Sequence, residues 1–181
     1  MAFDHIKLEE DDSGHLTVTT HVVDGRVYTL SAVALDGPAL PEAEMRKAAK
    51  FKIGEHANWK EFKDDVSEME RVLKRRGYVN ESARVERNLH PREATVDAVI
   101  HFTPGQLYRF GKLELEGASD DVREEADGLW TLRAGQPMNG EYPAEFLHEL
   151  IKQLHGIRAR VSTTLKPGEG ENVLDVVIAF R

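Results

Sequence analysis

The sequence has no cysteine and no long hydrophobic run, and both absences exclude whole classes of protein. Without thiols the chain can form no disulfide framework, no thiolate metal site and no cysteine nucleophile. Although 40% of the residues are hydrophobic, no window approaches the ~18 to 20 apolar residues of a membrane-spanning helix. The amino end, MAFDHIKLEEDDSG, also lacks the basic start and apolar centre of a secretion signal. As given, the chain is expected to be soluble.

Basic residues are in deficit, because 24 Lys and Arg face 32 Asp and Glu, which gives a formal net charge of −8. Proteins that bind nucleic acids without sequence preference neutralise the phosphates with clustered Lys and Arg. We therefore predict no nucleic-acid partner. The small basic cluster between Arg46 and Lys52 is typical of a solvated helix face.

Motifs that carry chemistry are missing as well. The sequence has no Gly-x-Ser-x-Gly, no phosphate loop and no dinucleotide fingerprint. Eight histidines are present, but His148 and His155 lie seven residues apart and no His-x-x-x-His pair occurs. Glu114 and Glu116 alternate on a predicted strand, which indicates a solvated outer face rather than a catalytic pair. We predict a chain that is not an enzyme and has no metal site and no cofactor.

What the sequence does contain is an internal repeat at a constant offset of 80 residues. The stretch Gly105–Gly117 (GQLYRFGKLELEG) restates Gly25–Gly37 (GRVYTLSAVALDG) without a gap. Both stretches start and end with glycine, carry a tyrosine at the fourth position and alternate apolar residues before the last glycine. Alternation of this kind predicts a strand with one buried face. We therefore predict two modules, residues 25–104 and residues 105–181.

The first module has the strongest helix signal in the chain. Asn58 offers an N-cap, and Glu61 stands three residues later, as in a capping box. Apolar residues follow at spacings of three and four, namely Trp59, Phe62, Val66, Met69 and Leu73. Gly77 is placed to end this helix. A shorter helix is predicted to precede it, starting near Pro41, and strands are predicted at Ala83–Leu89 and Ala94–Phe102.

The second module repeats this order. Ser119 is predicted to cap the first helix, and the second helix runs from Tyr142 to Leu154 with Pro143 in its first turn. A hairpin of Arg158–Leu165 and Val173–Phe180 follows. The predicted fold class is α+β, with tandem β-α-α-β-β modules, each a three-stranded mixed sheet with two helices on one face.

Residues 1–24 hold two alternating runs, Phe3–Leu8 and Leu16–Val22, on either side of a turn-rich segment, and they predict a hairpin. The offset of 80 residues places the second run on Val96–Phe102, the closing strand of the first module. We interpret residues 1–24 as the C-terminal hairpin of a preceding, truncated copy. The alternative is an extra hairpin that belongs to no repeat.

This element order, with a Gly-x-x-Tyr start and the Gly77-Tyr78 end of the long helix, resembles the polypeptide-transport-associated (POTRA) domain. The resemblance covers two copies and the end of a third. The second copy departs from the pattern at Gly156-Ile157, which replaces Gly-Tyr. POTRA modules occur in tandem before the barrel of outer-membrane assembly and two-partner-secretion proteins.

The resemblance implies a non-catalytic scaffold in the periplasm of a Gram-negative-type envelope. Its partners would be unfolded or nascent outer-membrane proteins, accessory assembly proteins, and the C-terminal membrane barrel of the parent chain. The present sequence would be an excised fragment of that parent chain. Two alternatives remain. A KH-like nucleic-acid module would need a Gly-x-x-Gly loop between two helices, and a cell-division protein with a related module would predict one copy.

The resemblance also implies that the strand after each long helix lies on a sheet edge. In the first module that run, Ala83–Leu89, is heavily charged, whereas its counterpart in the second module is mostly uncharged and β-prone. We predict that the second edge binds extended client segments by β-augmentation. The predicted partner-binding residues are Ala159, Arg160, Val161, Ser162, Thr163, Thr164 and Leu165.

Overall fold

A computed structural model describes residues 2–10, 13–23, 25–154 and 161–180. Its strands are β1 (Ala2–Glu10), β2 (Leu16–Val23), β3 (Thr29–Asp36), β4 (Ser82–His90), β5 (Thr95–Thr103), β6 (Arg109–Glu116), β7 (Val161–Pro167) and β8 (Val173–Phe180). Its helices are α1 (Glu42–Ala48), α2 (Trp59–Arg75), α3 (Asp120–Leu129) and α4 (Tyr142–Gln153). Within these ranges no helix is long and apolar enough to cross a membrane.

The strands form one hairpin and two sheets of the same topology. Strands β1 and β2 pair antiparallel by themselves. The other sheets have the orders β3-β5-β4 and β6-β8-β7. In each, the module's first strand runs parallel to the central closing strand and the strand after the long helix runs antiparallel to it. The predicted fold class, α+β with mixed three-stranded sheets, is confirmed.

The first core lies between one face of β5 and the two helices. Alternate residues Val96, Ala98, Ile100 and Phe102 are buried, as the period of two requires. Met45 from α1 and a row from α2 fill the other side, namely Phe62, Val66, Met69, Val72 and Leu73. The spacing of that row places it on one helix face, so burial of that face stabilises the helix against the sheet.

The N-cap residues of α2 and α3 are those predicted from the sequence, but their hydrogen bonds differ in part from the prediction. The Asn58 side chain accepts from the backbone N–H of Lys60 at 3.2 Å and of Glu61 at 3.5 Å, which confirms the N-cap. The Asn58 N–H donates to the carbonyl of His56 rather than to the Glu61 side chain, so the box is only half formed. Ser119 is the N-cap residue of α3, but its side chain makes no capping hydrogen bond.

The last hairpin is shifted from its prediction. Strand β7 continues through Lys166 and Pro167, which were expected in the turn. These residues pair with Asp175 and Leu174, and proline is tolerated there because an edge strand needs no hydrogen-bond donor on its outer side. Residues 158–160 of the predicted strand and the helix end expected at Gly156 lie outside the described residues.

The two modules are joined at the C-terminal end of α2. Gly77 and Tyr78 close the helix by donating to the carbonyls of Lys74 and Leu73 at 3.1 Å each, with Gly77 at a φ of +101°, as in a Schellman motif. The Lys74 carbonyl also accepts from the N–H of Gly140 at 3.0 Å, and the Gly77 carbonyl accepts from the N–H of Tyr108 at 2.9 Å. Backbone atoms of both modules are therefore bonded to one helix end.

Side chains continue this joint. Val79, from the first module, packs against the core of the second, which is built around Phe110, Phe146, Leu150 and Ile178. The Asn80 side chain donates to the Tyr108 hydroxyl at 3.2 Å. Because the linker Phe102–Gly105 is also short, we expect these contacts to limit the range of angles between the modules.

Replacing Gly77 with alanine is predicted to loosen the joint, since an added Cβ would lie 2.8 Å from the Tyr108 carbonyl oxygen. Gly54→Ala is the matched control, because Gly54 also has a positive φ (+91°) but nothing lies within 4 Å of an added Cβ. Both variants should lose about 1 kcal/mol from backbone strain. Only Gly77→Ala should broaden the distance distribution between spin labels on Lys47→Cys and Glu124→Cys. Equal distributions in both variants would contradict this role.

Candidate protein-binding edges

At the hairpin edge of each complete sheet lies a strand that is paired on one side only. Strand β4 pairs with β5 and strand β7 pairs with β8, and within the described residues neither strand has a partner on its outer side. An edge strand of this kind presents alternating N–H and C=O groups to which another extended chain can bond. The two edges differ in what lies beside them.

The β7 edge contains most of the residues predicted from the sequence. Val161 to Leu165 pair in register with Phe180 to Val176, so the structure places five of the seven predicted residues on an edge strand. Ala159 and Arg160 lie outside the described residues. The exposed Thr164 and Leu165 are uncharged, and the nearest charge on the strand, Lys166, pairs with Glu116 at 3.5 Å.

The β4 edge borders a groove that the sequence analysis did not identify. The groove has a volume of about 340 Å³ and lies between α2 and β4. Apolar side chains line its centre, with Phe62 and Val66 from the helix and Ala83 and Val85 from the strand. The charged residues of β4 that suggested a guarded edge, Arg84 and Glu86 among them, alternate with these and belong to the other sheet face.

The two ends of the groove carry opposite charges. At one end the Arg87 guanidinium lies 4.9 Å from the ring centre of Trp59, and Lys63 lines the same half of the helix. Because α2 and β4 run antiparallel through a short turn, Ala83 lies at the other end, where Glu70 lines the wall. The groove therefore has a basic end at Arg87, an apolar middle and an acidic end at Glu70.

A second carboxylate, Glu81, stands beside the acidic end. Its side chain is only 3% exposed, its Oε1 lies 3.5 Å from the Lys74 ammonium, and its Oε2 has no hydrogen-bond partner. Burial raises the pKa of Glu81, and the nearby Glu70 carboxylate raises it further, against the opposing charge of Lys74. The fold therefore disfavours the ionised form of this carboxyl.

Glu81→Gln is predicted to stabilise the protein at pH 7 by roughly 1 kcal/mol, the low end of the cost of an unsatisfied buried group. Because the pKa of Glu81 is raised in the folded state, its ionisation lowers the free energy of unfolding as pH rises above the pKa of Glu81 in the unfolded state. The stabilisation by Glu81→Gln should therefore vanish as pH falls below the unfolded-state pKa. Urea unfolding between pH 4 and pH 8 measures it. Glu93→Gln, in the exposed turn before β5, should change little, and a pH-independent effect of Glu81→Gln would contradict the assignment.

The opposite face of the first sheet is covered by polar pairs. His101 Nδ1 lies 2.7 Å from Asp36, and His90 lies 2.9 Å from Asp97, which also accepts from Ser31 at 2.6 Å. The bond from Ser31 and then that from His90 lower the pKa of Asp97. Among the residues that the structure describes, no three acidic or histidine side chains form a metal cluster.

The two tryptophans pack against the helical layers. Trp59 contacts Phe62 with ring centres 5.4 Å apart. Trp130 contacts Phe146 at 4.8 Å and donates its indole N–H to the Leu132 carbonyl at 2.9 Å. Glu114 pairs with Lys112 at 2.8 Å, and hydrogen bonding to Lys112 lowers the Glu114 pKa, as fits a solvated outer face.

Comparison with known proteins identifies a family model that is similar to part of the chain. The family model described as POTRA, surface antigen variable number repeat, matches residues 28–105. The match spans β3 to β5 with both helices, so the β4 edge and the groove lie within the residues that are similar to a POTRA domain. A comparison with curated proteins found no match.

Solved POTRA structures extend the similarity to the rest of the chain. POTRA3-5 of Haemophilus influenzae BamA matches with a TM-score of 0.74 and 15% identity, over 99% of this chain and 72% of that one. BamA of Haemophilus ducreyi lacking POTRA domains 1-3 matches with 0.66 and 16%, over 85% of this chain and 29% of that one. POTRA1-2 of the periplasmic domain of Omp85 from Anabaena matches with 0.51 and 16%, over 87% and 97%. At these identities the matches show the fold, which is that of tandem POTRA modules.

Proposed function

We propose that this chain is a non-catalytic, periplasmic scaffold of an outer-membrane protein assembly or secretion protein. It engages client polypeptides or accessory proteins as extended segments that add a strand to the edge of a POTRA sheet. The observation that carries the proposal is the pair of edge strands, β4 and β7, each with a backbone that is unpaired on its outer side among the described residues. Similarity to the POTRA modules in the periplasmic domain of Anabaena Omp85 supports the periplasmic setting.

The β7 edge suits clients of varied sequence. Binding by strand addition draws its affinity from backbone hydrogen bonds, so it demands little of the client's side chains. Thr164 and Leu165 are exposed and uncharged, which removes the electrostatic guard that many edge strands carry. We therefore propose Ala159 to Leu165, the residues predicted from the sequence, as the first binding site. Val161 to Leu165 of this site lie on β7.

The β4 edge adds a second site with more selectivity. Alternate side chains of a segment paired to β4 would lie over the apolar middle of the α2–β4 groove. Burial of these side chains in the groove would add to the affinity that the backbone hydrogen bonds supply. The groove is the specific observation that favours this second edge.

Proline scanning of β7 tests the first site. In an antiparallel edge strand, consecutive N–H groups point alternately into the sheet and outward. Of Thr163→Pro and Thr164→Pro, one therefore removes an inner hydrogen bond and should destabilise the second module, whereas the other removes only an outward donor. The outward variant should keep its melting temperature and bind an extended peptide from an outer-membrane barrel strand about ten-fold more weakly.

Amide NMR shifts during the titration show which edge the peptide occupies. Perturbations along β7 in the wild type, lost in the outward proline variant, support the site. Unchanged affinity in that variant, or shifts confined to the first module, would rule out β7 as a docking edge. If no edge of either module responds to any such peptide, the scaffold proposal itself fails.

A further inference from the structure

The charged ends of the α2–β4 groove have a consequence for which segments it accepts. Residues 83, 85 and 87 of β4 point to the groove face, and they span about 13 Å at the rise of a strand. A segment paired to β4 would therefore place three of its side chains, at positions i, i+2 and i+4, over the groove. The first and last of these would lie beside opposite charges.

Backbone hydrogen bonding alone does not fix the direction of an added strand, because an edge accepts parallel and antiparallel partners. Side chains must decide it. At the Arg87 end the guanidinium is held over Trp59, and at the other end Glu70 lines the wall. The charge difference between these ends is the feature of the groove that distinguishes the two directions.

We propose that the groove selects extended segments by charge order, with a carboxylate at the Arg87 end, an apolar side chain over the middle and a lysine or arginine at the Glu70 end. The inference rests on strand addition at β4, as proposed above. A segment of pattern acidic-x-apolar-x-basic would bind antiparallel to β4. The reversed pattern, basic-x-apolar-x-acidic, would bind parallel, since β4 runs from Ala83 towards Arg87.

Glu81 supports the choice of a cation at the acidic end. Its buried Oε2 has no hydrogen-bond partner, and the Glu70 carboxylate is close enough to disfavour its ionisation. A lysine or arginine brought beside Glu70 would offset the repulsion between these two carboxylates. An acidic side chain beside Glu70 would increase this repulsion. The acidic end therefore favours a basic side chain of the segment and also disfavours an acidic one.

Three capped nine-residue peptides test the proposal: TTETVTKTT, TTKTVTETT and the neutral TTQTVTQTT, each with a nitroxide on its N-terminus. All three have the same length and the same central valine, and the two charged peptides have the same composition. The first should broaden amide signals near Arg87, because its N-terminus lies there in the antiparallel arrangement. The second should broaden signals near Ala83. Both should bind about three- to ten-fold more tightly than the neutral peptide at low salt.

Glu70→Gln separates the charge effect from folding. This change should weaken binding of the two charged peptides part of the way to the level of the neutral peptide, because the contact with Arg87 remains, and it should leave the neutral peptide's affinity unchanged. Broadening at the same end for both charged peptides, or affinities equal to that of the neutral peptide, would overturn charge selection while leaving strand addition at β4 intact. If no peptide shifts β4 amides at millimolar concentration, strand addition at β4 is refuted and the inference with it.

Discussion

Each module depends on the burial of one face of its closing strand under two helices. In β5, alternate residues from Val96 to Phe102 are 0 to 3% exposed, and in β8 the alternate residues Val176 and Ile178 are fully buried in the second core. A strand buried in this way occupies the centre of its sheet, between a parallel neighbour and an antiparallel one. Both neighbours then lie at edges of the sheet. The outer side of the parallel neighbour is bonded at its start by a loop, because in the first module Leu30 donates to the Glu55 carbonyl and accepts from the Gly54 N–H. In the second module Phe110 bonds in the same way to Gln136 and Gly135. The antiparallel neighbour is therefore the more open edge for a partner.

The end of α2 connects this core to the second module. Its last carbonyls accept hydrogen bonds from Gly77 and Tyr78 and from the second module's Gly140, while Val79 enters the second core. The same helix forms one wall of the α2–β4 groove. One element therefore closes a core, bounds a candidate binding site and holds the next module, so a change at its C-terminal end acts on more than local stability.

Much of the fold could be predicted from the sequence because its signals are local or periodic. The repeat gave the module count, Asn58 and the apolar row gave α2, and alternation gave the strands. The groove could not be predicted in this way. It depends on Arg87 meeting Trp59 across 28 positions of the sequence, and a linear reading of β4 counted Arg84, Glu86 and Arg87 together as one charged run.

Burial of charge was also beyond the sequence. Glu81 reads as an ordinary surface residue in a turn, yet the turn that ends α2 leaves its side chain 3% exposed between Lys74 and Glu70. Capping hydrogen bonds are local, yet residue type alone does not decide them. Ser119 and Asn58 are both favourable N-cap types, but only Asn58 makes the bond. Residue type predicted the position of each helix start and not the contact.

The two edges place different demands on a partner, and this difference follows from what stands beside each strand. Strand β7 offers backbone groups with uncharged exposed side chains, which on the proposed function favours breadth of clients at modest affinity. Strand β4 offers the same backbone groups beside an apolar groove with opposite charges at its ends, which favours fewer clients. If the joint at Gly77 limits how the modules move, as predicted, a client that occupies both edges gains affinity from the second contact only when its segments match the spacing of the edges. On the proposed function, the joint then contributes to the choice of client, and residues of the joint act on specificity without touching the client.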